Sequence, residues 1–304
     1  MQAAGFHSPG PPEVLQVMDF PDPVPGPGEV RVKVKAAGVQ PVDCAIRGYG
    51  FSPPGAKLQY PQIVGNEFAG IVDQVGEGVE DFQIGCEVIG WSLLSCCAQY
   101  VVVPRDQLVI KPRTMPWEEA GVLSASGQTA HTALKELEVG EGDTVLIHAA
   151  AGGVGTFAVQ LARAWGAVVI GTASPRNHDY LHSLGAIPVA YGEGLEDRVR
   201  ELAPQGIDAA LDAAGEEALR ASVNLVSNKE RIGTIVSFDL SEKLGTVPIR
   251  SKRSAARLSE LTRLYEQGML RVTIARVFPL HEAAAAHRAV ETGHIRGKIV
   301  IAIN

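Results

Sequence analysis

A chain of 304 residues, 46% of them hydrophobic, with 33 glycines and 19 prolines, suits two domains of ordinary size that are rich in turns. A formal charge of −7 with no basic run to offset it argues against a nucleic-acid or anionic-membrane surface. Four cysteines, two of them adjacent at Cys96 and Cys97, do not make a disulfide framework, and no apolar run approaches the ~20 residues of a membrane span.

The opening MQAAGFHSPG has no basic n-region, and Pro and Gly break any apolar core, so a cytoplasmic protein is the expectation. PDPVPGPG, residues 21–28, is a stiff connector. Residues 29–35, EVRVKVK, alternate charge and valine, which predicts a half-buried strand with Val30, Val32 and Val34 inward. Further strands are expected at Phe68–Val75, Glu87–Gly90, 99–103 and Leu108–Ile110, spaced as in a compact antiparallel barrel. Pro116, Glu118 and Glu119 open a helix. Ser126, Gly127, Gln128 and Thr129 interrupt it, and a second helix runs to Leu137.

Residues 143–177 carry the densest pattern. Val145, Leu146 and Ile147 form a short buried strand that ends in Ala149-Ala150-Ala151-Gly152-Gly153-Val154-Gly155. A helix follows, with Phe157, Val159, Leu161 and Ala162 on its buried side and Gly166 as its stop, and then a second apolar run over 167–171. This is the βαβ unit that binds a dinucleotide. In its G-x-G-x-x-G variant, Ala150 replaces the first glycine, Gly152 admits the pyrophosphate, and Gly155 lets the helix pack on the strand. Ala151, Gly153 and Val154 complete the phosphate-binding helix end. An NAD site places Asp or Glu roughly 20 residues past the glycines. Here Gly171, Thr172, Ala173, Ser174, Pro175, Arg176 and Asn177 include no acid, and Thr172 is placed among the cofactor contacts. Ser174 and Asn177 can donate hydrogen bonds and Arg176 can pair a 2′-phosphate, which favours NADP(H). Ser174 also fits a helix N-cap, with Pro175 at the first helical position.

Strands at 189–191, 209–213 and 233–238 alternate with helices near 196–202 and 217–226, which predicts a doubly wound parallel sheet. His148 on its buried strand fits a satisfied core histidine better than a base. A helix with Leu258, Leu261, Leu264 and Tyr265 on one face, a strand at 271–278, a helix at 281–292 and a strand at 298–303 form a tail. It is too long for a sheet edge, and a return to the first domain accounts for it.

Ala37-Gly38-Val39-Gln40-Pro41-Val42-Asp43, Val64-Gly65-Asn66-Glu67-Phe68-Ala69-Gly70, Gly127-Gln128-Thr129-Ala130, the AAGGVG turn and Gly297-Lys298-Ile299-Val300 together resemble the medium-chain dehydrogenase/reductase superfamily. The likeness is to its zinc-free, NADP-dependent quinone oxidoreductase-like branch and covers essentially the whole chain. It implies an α/β protein with a GroES-like β-barrel domain over 1–120 and 255–304 and a Rossmann domain, a doubly wound parallel sheet, over 121–254. Zinc-dependent members carry Cys and His where this chain has Gln40 and Asn66, so no metal is expected.

The resemblance also implies the site. Gln40 lies beside the nicotinamide, where its amide bonds the carboxamide or the substrate carbonyl; the alternative is a solvated loop amide. Asp43 orients that loop or caps a helix. Thr129 bonds the cofactor or back-bonds to its helix. Tyr49 and Tyr60 flank a loop over the pocket, as proton donors to a developing enolate or as wall. Tyr191 lies near the 2′-phosphate, and Ala213, Val236, Ser237 and Phe238 are placed with the cofactor at strand ends. Lys298 reaches the cofactor or snorkels at a strand start, and Cys44 is a candidate reactive thiol. The implied activity is NADPH-driven reduction of a small-molecule quinone or activated α,β-unsaturated carbonyl by a homodimer, through an edge strand near 246–249. Alternatives are an enoyl reductase acting on an acyl thioester and a non-catalytic NADPH-binding protein.

Overall fold

Alternating valines build the strand on which the first unit hangs. In the computed structural model, which describes residues 1–303, Val30, Val32 and Val34 are buried while Lys33 between them is exposed. The strand runs beyond the alternation to Val39, because Ala36, Ala37, Gly38 and Val39 are all buried. In chain order this region supplies β1 (Gln2–Phe6), β2 (Gln16–Asp19), β3 (Glu29–Val39), α1 (Pro41–Tyr49), β4 (Gln62–Ile63), β5 (Phe68–Val75), β6 (Glu87–Gly90), β7 (Tyr100–Pro104) and β8 (Leu108–Ile110). β1 pairs with β2 and β4, β3 with β5 and β7, β5 with β6, and β6 with β8, all antiparallel. Phe6, Phe68, Val72, Val88 and Val101 share the core between these strands.

Two helices follow, α2 (Trp117–Ala120) and α3 (Ser124–Glu136). The interruption expected at 126–129 is absent, and α3 runs straight through it. Ser126, Gly127 and Gln128 are buried, and their packing overrides the weak helix preference of Ser and Gly. The break falls at 121–123 instead, where a Cβ on Gly121 would stand 2.7 Å from the Ala36 Cβ.

The second unit holds residues 126–253 and 267–271. It contains β9 (Thr144–Ile147), α4 (Gly153–Ala164), β10 (Val168–Thr172), α5 (His178–Ser183), β11 (Ile187–Val189), α6 (Leu195–Leu202), β12 (Ala209–Asp212), α7 (Glu216–Leu225), β13 (Ile232–Thr234), α8 (Phe238–Leu244) and β14 (Val247–Pro248). The strands lie in the order β11-β10-β9-β12-β13-β14, all parallel. The chain therefore starts mid-sheet, winds out one way and then the other, and leaves its switch point between β9 and β12. Leu146, Ile170, Ala210 and Ile232 from four neighbouring strands pack with Leu195, Val199 and Leu219. β13 ends at Thr234, short of the expected Phe238. The Thr234 hydroxyl takes the N–H groups of Val236 (3.1 Å) and Ser237 (2.9 Å), which turns the chain into α8.

The chain then returns to the first unit with α9 (Ala255–Glu266), β15 (Ile274–Pro279), α10 (Ala283–Glu291) and β16 (Lys298–Ala302). β16 pairs antiparallel with β3, and β15 pairs parallel with β16, an exception to the expected antiparallel pattern. Residues 267–271, expected to lie outside the nucleotide domain, belong to the second unit. Gln160 of α4 holds them there, accepting from Arg271 N–H at 2.7 Å and donating to Arg271 O at 3.0 Å, so β15 starts only at Ile274. Among the described residues no helix is long and apolar enough to cross a membrane.

Candidate active site

β9 runs directly into the glycine turn. Ala149 takes a left-handed φ of 51°, which costs a non-glycine residue about 1–2 kcal/mol. Three hydrogen bonds hold it there. Ala149 N–H donates to Thr172 Oγ1 (3.2 Å), Ala150 N–H to Thr172 O (3.0 Å), and Gly152 N–H to Ala149 O (2.9 Å). A Cβ on Gly155 would stand 2.2 Å from Ala149 O and 2.7 Å from Ala150 Cα, so only glycine lets α4 start this close to the strand. Gly152 caps α4. The N–H groups of Gly153, Val154 and Gly155 in its first turn have no intrahelical acceptors, and with the helix dipole they offer a cradle that fits a pyrophosphate. Thr172, expected among the cofactor contacts, is buried with its hydroxyl turned to Ala149.

Beneath the turn, His148 is buried between two hydroxyls, with Nε2 3.0 Å from Ser222 Oγ and Nδ1 3.4 Å from Thr172 Oγ1. Burial pushes its pKa from 6.5 down to about 4, so the ring is neutral, as expected of a core histidine. In the first unit His287 of α10 is also buried, and neither of its ring nitrogens has a partner among the described residues. Burial and then the Arg47 charge push its pKa down to about 3. Both groups bind a proton more readily unfolded, so their stabilisation is whole above pH 6.5 and is lost as pH falls towards 4 and 3. Each is worth about 3 kcal/mol or more. Urea denaturation at pH 7 and pH 4.5 should show a stability loss of several kcal/mol, and His287→Leu should flatten the dependence.

At the end of β10, Ser174 leads into the short turn Pro175–Asn177, with Pro175 at the first helical position as expected. Asn177 Nδ2 donates to Ser174 Oγ at 3.3 Å, and Arg176 is exposed. At the end of β12, Asp212 Oδ1 accepts the N–H groups of Ala214 and Gly215 at 2.8 Å each, and Oδ2 accepts from Thr234 Oγ1 at 2.7 Å. That buried carboxylate shapes the turn holding half-buried Ala213. Tyr191 lies two residues past β11 and is exposed, Val236 is half exposed, and Phe238 lies under the Arg250 guanidinium at 4.7 Å. Ser237 precedes α8, and Thr129 is half-buried on α3.

The first unit gathers a second set of residues. Gln40 precedes Pro41 at the start of α1, and its backbone N–H donates to Asp43 Oδ2 at 2.8 Å. Asn66 Nδ2 donates to both Asp43 oxygens, at 3.1 and 3.2 Å. Asp43 thus closes a capping box on α1 and also accepts from Asn66. The Gln40 side chain is buried and its amide donates to Glu67 Oε1, which removes the solvated-amide alternative. Glu67 is fully buried. Its Oε1 lies 3.2 Å from Lys298 Nζ, and its Oε2 accepts the Ala125 N–H at 2.5 Å in the first turn of α3. A Cβ on Gly38 would stand 2.1 Å from Glu67 Oε1, so the glycine makes room for the carboxylate.

Lys298 does not snorkel; it is 4% exposed and ion-paired. Glu67 and Lys298 were not foreseen as a pair. The available signals were an acid inside the apolar VGNEFAG run and a lysine opening an all-apolar strand. Tyr49 ends α1 with 89% exposure, and Tyr60 is half exposed, its ring edge-on to Phe6 at 5.7 Å. Neither joins the buried cluster. Cys44 is buried and its thiol is pushed up to about 12, by burial first and then by Asp43 and Glu291, so it is no thiolate nucleophile.

The donors around Glu67 do not fit zinc. Two carboxamides and an ammonium group surround the carboxylates, and among the described residues no group of three or more His, Cys, Asp or Glu side chains could hold a metal.

Known families match both parts of the chain. Residues 26–113 match the alcohol dehydrogenase GroES-like domain, and residues 184–301 match the zinc-binding dehydrogenase model, although the described residues hold no donor set for that metal. A quinone oxidoreductase of Pseudomonas aeruginosa is 32% identical over 324 residues, covering 97% of this chain and 98% of its own. The quinone oxidoreductase structure from Coxiella burnetii superimposes with a TM-score of 0.89 at 32% identity, covering 100% of this chain and 99% of that one. The Escherichia coli quinone oxidoreductase complexed with NADPH gives 0.87 at 26% identity, over 99% and 100%.

Proposed function

The chain belongs to the medium-chain dehydrogenase/reductase superfamily, in its quinone oxidoreductase-like branch, and on that premise we propose that it is a metal-independent, NADPH-dependent oxidoreductase acting on a quinone or an activated enone. The observation that carries the proposal is the glycine turn, where Gly155 fits only without a Cβ and α4 opens at the switch point of the sheet. Gly153 and Val154 bind the pyrophosphate through backbone N–H groups, and Gly152, whose own N–H is held by Ala149 O, leaves room for its approach. Ser174, Arg176, Asn177 and Tyr191 take the 2′-phosphate, and the absence of an acid between Gly171 and Asn177 disfavours a bare ribose.

NADPH, when bound, supplies a hydride. Glu67 holds the Gln40 carboxamide in one orientation, a fixed hydrogen-bonding group for the carboxamide of the cofactor or the substrate carbonyl. Lys298 is spent on Glu67, the Cys44 thiol keeps its proton, and His148 is neutral inside the sheet. With no poised base among them, the acceptor has to be electrophilic already, as a quinone or enone is. Tyr49 and Tyr60 lie at the surface, so water delivers the final proton. The working form in this proposal is a cytoplasmic homodimer, which sedimentation would test.

The experiment is NADPH and NADH oxidation with quinones, enones and enoyl thioesters. A charge-assisted Arg–phosphate bond is worth about 1.5–3 kcal/mol, so kcat/KM should favour NADPH by about 10-fold or more, and Arg176→Ala should erase most of that preference. Equal rates with NADH would overturn the NADP assignment. Turnover confined to enoyl thioesters would move the substrate class, and NADPH binding without turnover would leave a non-catalytic protein.

A further inference from the structure

His148 takes no part in the chemistry proposed above, yet its ring joins two buried hydroxyls, one on α7 and one on β10. With its single hydroxyl proton on Ala218 O at 2.9 Å, Ser222 accepts from His148 Nε2, 3.0 Å away, and this is the tautomer on which the inference is built. Nε2 therefore carries the proton of the neutral ring and Nδ1 is a bare acceptor. Thr172 O–H points at Nδ1 across 3.4 Å, which leaves the Thr172 Oγ1 lone pair for the Ala149 N–H at 3.2 Å. Ala149 is the residue held at positive φ, and its carbonyl takes the Gly152 N–H and stands over Gly155. The chain of bonds runs from α7 through the ring to the first residues of the turn. Asp212 of β12 is the charged group that acts on the ring from the neighbouring strand.

We propose that His148 is a positioning residue for the cofactor: through the Thr172 hydroxyl it holds Ala149 left-handed and so sets the start of α4 where the pyrophosphate binds. The proposal rests on the NADPH-binding reading of that turn. A merely structural histidine would affect stability alone; a positioning one affects affinity in molecules that are fully folded.

The test measures NADPH dissociation constants by nucleotide fluorescence on folded protein, with thermal midpoints beside them. An Asn side chain can set Oδ1 where Nδ1 stands and keep the acceptor, while Leu removes it. His148→Leu should weaken NADPH binding about 5- to 10-fold, the scale of one buried hydrogen bond, and His148→Asn should stay within about 2-fold of the parent. Thr172→Val should lose as much as His148→Leu, Thr172→Ser should retain affinity, and the double variant should lose no more than either alone. Should His148→Leu fail to fold, the two Thr172 variants carry the test. Equal affinity in the parent and the Leu or Val variants would overturn the proposal, as would equal losses for Asn and Leu. A parent protein that binds no NADPH at all would instead overturn the cofactor reading.

Discussion

Lys298→Met should destabilise the protein by about 3–5 kcal/mol, and adding Glu67→Gln to the same chain should restore most of the loss. Both partners are essentially without solvent contact, so removing the ammonium leaves a carboxylate in low dielectric held, among the described residues, by the Gln40 amide and the Ala125 N–H. Neutralising Glu67 removes the charge that needed a partner, while a glutamine keeps the volume and part of the hydrogen bonding. Denaturant midpoints of the two single variants and the double variant close a cycle that isolates the coupling. Additive losses would mean that the pair contributes packing rather than charge compensation. The single lysine variant should also lower activity in the molecules that remain folded, because Glu67 is what orients the Gln40 amide.

That pair shows where sequence stops being legible. Lys298 opens the last strand and Glu67 precedes β5, so nothing local joins them; only the pairing of β16 with β3 brings the chain ends together. Local rules performed well where the backbone itself was constrained. Gly155 could be assigned to close helix–strand packing because a turn of that type admits no Cβ, and Pro175 at a first helical position needs only its own ring. They failed where a side chain redirected the chain. Ile235 and Val236 continue an apolar run, but the Thr234 hydroxyl captures the next N–H groups and ends β13. Ser126 and Gly127 look like a helix break, yet burial carries α3 through them. Gln160 draws Arg271 out of an otherwise plausible strand. At the site, the cofactor turn was readable as a motif, whereas the state of Gln40, buried and held by Glu67, depended on contacts that no spacing encodes.

Gly152→Ala and Gly155→Ala should part company, although both fall in one six-residue motif. A Cβ on Gly152 meets only Ala149 O, at 3.2 Å, and the backbone there is at φ −78°, which alanine adopts freely. The variant should fold with a thermal midpoint slightly below the parent, because Ala149 O must give by a few tenths of an ångström, yet bind NADPH at least about 10-fold more weakly, because the methyl group occupies the approach of the pyrophosphate. At Gly155 the added Cβ would sit 2.2 Å from Ala149 O and 2.7 Å from Ala150 Cα, both backbone atoms that no rotamer can move aside. Relief requires α4 to withdraw from β9 by about an ångström, at a cost of about 1–3 kcal/mol in stability. A shift of that size at the phosphate-binding helix end is enough for a loss of about 100-fold in affinity. Thermal midpoints with and without NADPH separate the two: the glycine at 152 answers to the ligand, and the one at 155 answers to the fold first and to the ligand through it. A Gly155→Ala protein that melts with the parent and binds NADPH normally would mean that α4 does not start where this structure puts it.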